Sequence, residues 1–65
     1  MYKWFVDEED DQTVLREYLL NKRHISRRAL TSIKYSGGKI LVNNEEENVR
    51  FTLSKGDLVE IIFPP

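Results

Sequence analysis

Sixty-five residues without a cysteine make one small domain that neither a disulfide nor a cysteine-based metal site can staple. Its 10 basic and 11 acidic residues leave a formal charge of -1, so whole-chain charge points to no polyanionic or membrane partner. The longest apolar runs, Ile40-Leu41-Val42 and Ile61-Ile62-Phe63, fall far short of the roughly 20 residues of a membrane span, and Asp7–Asp11 arrives too early for a signal peptide.

Met1–Val6 reads as a strand, with Tyr2, Trp4 and Val6 on one face and Phe5 partly covered on the other. The acidic run Asp7–Asp11 is a polar connection that leads into a helix and suits its N-terminus. Val14, Leu15, Tyr18 and Leu19 form an apolar stripe, which predicts a first helix over 14–22 with Thr13 as its cap. Arg16 and Glu17 face away from that stripe. Asn21–His24 is a short connection, and the lone His24 is an exposed loop residue with no second metal ligand at helical spacing.

Ser26 caps a second helix, with Ile25 and Leu30 at hydrophobic-staple spacing around it. Ala29, Leu30 and Ile33 carry its buried stripe, and Gly37-Gly38 ends it. Lys39–Asn43 is a short strand, and Asn43-Asn44 suits a turn that needs positive φ. Val49–Leu53 alternates as a strand, with Val49, Phe51 and Leu53 inward. Ser54-Lys55-Gly56-Asp57 is a turn and Leu58–Phe63 the last strand, which Pro64-Pro65 closes. One strand, two consecutive helices and three strands predict an α+β domain with the helices packed on a small, mostly antiparallel sheet.

Nothing here makes a self-sufficient catalyst. No nucleophile and base stand at a productive spacing, the acidic clusters lack a calcium-loop pattern, and Gly37-Gly38 precedes a strand rather than opening a helix. No catalytic residue, metal or cofactor is therefore expected. The charge distribution is more informative. Residues 25–44 contain no acid, while acids cluster at Asp7–Asp11 and Glu45–Glu47. Between Asn21 and Asn44 lie Lys22, Arg23, Arg27, Arg28, Lys34 and Lys39, with His24 among them. Arg27 and Arg28 in a first helical turn stand beside free backbone N–H groups, a setting that suits phosphate. Ser26, Thr31 and Ser32 add neutral donors, Lys34 follows two turns after Arg27, and Tyr35 offers a ring to an unstacked base. A solvated helix face is the plain alternative.

The ordered set Ser26-Arg27, Gly37 or Gly38, Val42-Asn43-Asn44 and Leu53-Ser54-Lys55-Gly56-Asp57 resembles the RNA-binding domain first defined in bacterial ribosomal protein S-four, the alpha-L motif. The resemblance covers about residues 13–63. It departs from the family pattern at Val14, where a basic residue is usual, and at Asn44, where glycine is usual. The leading strand and Phe63-Pro64-Pro65 further resemble the N-terminal domain of ribosomal large-subunit pseudouridine synthases, whose catalytic His-Arg-Leu-Asp motif this sequence lacks. The resemblance implies one RNA-binding domain over residues 1–65, the N-terminal part of a longer cytoplasmic protein with a linker starting near residue 64. It implies a monomer that contacts structured RNA, ribosomal RNA above all; the charge and side-chain chemistry of the basic stretch make Lys22, Arg23, Ser26, Arg27, Arg28, Thr31, Lys34, Tyr35 and Lys39 the expected contacts. The alternatives are a stand-alone ribosome-associated RNA binder, a sulfur-carrier-like domain, or a protein-interaction domain that uses the acidic clusters.

Overall fold

The computed structural model describes residues 2–64. Strand β1 (Tyr2–Phe5) leads through a 3₁₀ turn (Glu8–Asp10) to α1 (Leu15–Glu17), which runs directly into a π-helical turn (Tyr18–Lys22). Helix α2 (Arg27–Tyr35) follows, then β2 (Lys39–Val42), β3 (Glu45–Glu46) and β4 (Leu58–Ile62). All strand pairings are antiparallel, in the order β1-β4-β2-β3. The α+β class expected from the sequence is the one observed.

The helices cover one face of the sheet. Leu15, Tyr18 and Leu19 from the first helical segment meet Leu30 and Ile33 of α2 in a single core with Ile40, Val42, Val59 and Ile61 of the sheet. The opposite face carries Glu60 at the centre, paired at 3.9 Å with Lys3 of β1. Phe5 lies on that open face and is 68% exposed, so the partial cover expected for it is absent. The expected strand starts at Met1, and the expected linker includes Pro65; both residues lie outside the described residues.

Three local expectations need correction, and they share one cause. Thr13 does not cap the first helix, Val14 is extended rather than helical, and Val49–Leu53 is not a sheet strand. The carbonyls of this last segment instead receive the N–H groups that open α1, from Leu15 to Phe51 at 2.7 Å and from Arg16 to Val49 at 2.9 Å. Val14 bridges Thr52, and Leu53 donates to Thr13. The unpaired donors of a helix start need some acceptor. Here a distant backbone segment supplies it, so no side-chain cap is required. The inward set Val49, Phe51 and Leu53 is still the buried or half-buried one.

The second helix forms as its local chemistry dictates. Ser26 Oγ accepts from the Ala29 N–H at 3.0 Å. At the other end Gly37 takes φ +91° and the Gly38 N–H reaches the Ile33 carbonyl at 2.9 Å, a Schellman closure. The two glycines have separate duties. A Cβ on Gly38 would stand 2.7 Å from the Ile62 carbonyl oxygen, so this position holds α2 and β2 tight against β4. Gly38→Ala is expected to destabilise the domain by about 1–3 kcal/mol, because backbone must shift to admit the methyl group. A urea unfolding midpoint equal to that of the unsubstituted chain would contradict this close approach.

Candidate nucleic-acid interface

Helix α2 has no acidic residue in its first turn and carries Lys34 in its last. Arg27, Arg28, Thr31, Lys34 and Tyr35 are all exposed, Tyr35 at 76%. Helical spacing puts Arg27, Thr31 and Lys34 on one side. That side borders a groove of about 490 Å³ between α2 and the β2–β3 hairpin. Leu30, Ile33, Ile40 and Val49 make its apolar lining; Arg16, Arg27, Lys34 and Lys39 supply positive charge, and Glu46 and Glu47 negative charge. Tyr35 also borders it, with Lys34 Nζ 5.6 Å from the ring centroid.

Two of the hydroxyls on this helix have internal duties. Ser26 Oγ holds the cap, and Thr31 Oγ1 donates to the Arg27 carbonyl at 3.0 Å. Arg28 stands in the same exposed first turn but does not line the groove. His24, at φ +57° and exposed, is the loop residue the sequence predicts.

Lys22 and Arg23, which the sequence groups with the α2 cations, already have partners inside the domain. Lys22 Nζ lies 3.4 Å from Asp10 Oδ2 and 3.6 Å from Glu9 Oε2. Hydrogen bonding and charge attraction from Asp10, then the charge of Glu9, raise its pKa above the usual 10.5. A raised lysine pKa means the pairing contributes fully at neutral pH and is lost as pH climbs through that raised value. Arg23 Nε donates to the Tyr18 hydroxyl at 3.1 Å, and its guanidinium sits 5.0 Å from the Trp4 ring centroid and 5.4 Å from that of Tyr18. This is a cation–π clamp between β1 and the π-helical turn.

The fold also brings in residues that charge and spacing alone do not single out. Arg16 reaches the groove from α1, and Glu47 and Asn48 reach it from the segment after β3. The hairpin explains the latter pair. Asn43 and Asn44 take φ +53° and +68°, a tight primed turn that doubles the chain back and brings the acids alongside α2. That turn is readable in the sequence; what it delivers to the groove depends on the packing of α2. Among the described residues no group of three or more His, Cys, Asp or Glu could hold a metal ion. No helix among them is long and apolar enough to cross a membrane.

Fold and groove together define a small α+β domain with a basic helix face set against an acid-bearing hairpin. Over 40 residues, 62% of its length, the chain is 45% identical to the Bacillus subtilis (strain 168) protein described as uncharacterized RNA pseudouridine synthase YjbO. It spans 14% of that relative's length. No family model matches, and no solved structure matches.

Proposed function

We propose that this chain is a non-catalytic RNA-binding module that positions ribosomal RNA for a pseudouridine synthase catalytic domain elsewhere in a longer protein. The observation that carries this reading is the exposed face of α2, where Arg27, Arg28 and Lys34 stand with no acid in the first turn. Phosphate is the ligand such a face suits, because guanidinium groups and the helix N-terminus act on it together. The similarity to part of a protein described as an RNA pseudouridine synthase supports RNA over other polyanions.

The test is a titration of stem-loops from large-subunit ribosomal RNA with the chain across a salt series. Binding that weakens steeply and linearly in log–log form is expected, since counterion release dominates such interfaces. Absence of binding at low salt would overturn the reading. The same RNA incubated with the chain should yield no pseudouridine, because the sequence lacks the His-Arg-Leu-Asp motif. Product from a clean preparation would mean that the catalytic assignment is wrong.

A further inference from the structure

The groove beside α2 has a property that phosphate binding alone leaves unexplained. It carries charges of both signs, and its cations and carboxylates form no ion pair with one another. The ion pairs among the described residues are Lys3–Glu60, Lys22–Glu9 and Lys22–Asp10; none joins a groove cation to Glu46 or Glu47. A surface built only for a polyanion would not hold a carboxylate opposite its cations. Glu47 is the residue best placed to matter. Glu47 directly follows β3 and lines the groove together with Glu46. Its N–H is held by the Ile40 carbonyl at 3.2 Å, and the residue is half-buried.

We propose that this groove takes one unpaired guanine of the bound RNA, with Glu47 reading the base and Arg27 and Lys34 holding its phosphates. The inference rests on the RNA-binding reading above and adds its specificity. A nucleotide is a ligand that needs both signs of charge at once: its phosphate is an anion, and its base edge carries hydrogen-bond donors. The Watson–Crick edge of guanine offers N1–H and N2–H side by side, which match the two oxygens of a carboxylate. Uracil presents one N–H between two carbonyl oxygens, which a carboxylate repels. Adenine and cytosine place a ring-nitrogen acceptor beside their amino donor. The guanine must be unpaired, because pairing would occupy that edge. The apolar lining, of which Val49 is the half-exposed part, suits the face of a base. A groove of about 490 Å³ admits a base with its sugar but not a stack of base pairs.

The experiment uses stem-loop RNAs that differ only at one bulged nucleotide: guanosine, adenosine, cytidine, uridine or inosine. Each is titrated with the unsubstituted chain, with Glu47→Gln and with Arg27→Ala/Lys34→Ala, and a thermal melt of each variant establishes that it is folded. The bulged guanosine should bind roughly tenfold tighter than uridine, with inosine between them because it lacks the N2 amino group. Glu47→Gln should remove that preference without lowering the mean affinity for the five RNAs. Arg27→Ala/Lys34→Ala should weaken all five alike. Equal affinities for all bulges, or a guanosine preference that survives Glu47→Gln, would overturn the guanine site while leaving RNA binding intact. Failure of every RNA to bind would remove both readings.

Discussion

Leu19→Ala is expected to unfold a large share of molecules at room temperature. Leu19 sits in the π-helical turn at 0% exposure, at the centre of the core shared by helices and sheet. Truncation of a fully buried leucine costs about 2–5 kcal/mol, through forfeited transfer free energy and the cavity left behind. A chain of 65 residues has a total stability of about 3–10 kcal/mol. The upper part of the first range therefore consumes the lower part of the second. Phe5→Ala is the comparison, because at 68% exposure the ring has little to lose and the cost should stay well under about 1 kcal/mol. Urea unfolding followed by far-ultraviolet circular dichroism reads both. Equal midpoints for the two variants would show that the first helical segment does not form the core.

The elements that are legible in the sequence are those whose causes are local. Ser26 caps α2 because its own hydroxyl reaches a donor three residues on. Asn43-Asn44 turns the hairpin because asparagine tolerates the left-handed region, and Gly56 at φ +90° does the same before β4. The elements that differ from expectation depend on partners far away in sequence. Alternating burial over Val49–Leu53 is real, but alternation reports which side chains face inward, not what the backbone pairs with. The start of α1 takes those carbonyls in place of a neighbouring strand. Conversely, Glu45–Glu46 has no strand-like composition. It is a strand because the tight turn before it places it beside β2.

The same division runs through the candidate site. Local charge counting finds Arg27, Arg28 and Lys34, since α2 presents them by its own periodicity. It cannot see that Glu9 and Asp10, more than ten residues earlier, come back to Lys22. Nor can it see that Trp4 and Tyr18 enclose the Arg23 guanidinium. Arg16 is legible only as a residue turned away from an apolar stripe; its place in the groove follows from how α1 docks on residues 49–51.

This division ranks the cations for the proposed RNA binding. Arg27→Ala/Arg28→Ala is expected to make the slope of log affinity against log salt less negative by about 1.4–1.8, which is 0.7–0.9 for each phosphate that the protein no longer neutralises. Over a fourfold rise in salt, the unsubstituted chain should therefore lose roughly 7–12 times more affinity than the double variant. The defect is largest at low salt and shrinks as salt rises. It should be similar for RNAs of different sequence, since phosphate contacts position rather than specify. Lys22→Ala should leave the slope unchanged, because Glu9 and Asp10 already neutralise that ammonium and no counterion is released when RNA approaches it. Glu8→Ala, an exposed acid of the 3₁₀ turn, controls for a general change in net charge. If Lys22→Ala flattens the slope as much as one α2 arginine does, the Lys22 ion pairs open on binding and the RNA footprint extends beyond α2. If the double variant binds as tightly as the unsubstituted chain at every salt concentration, the acid-free face of α2 is a solvated helix surface and RNA binds elsewhere or not at all.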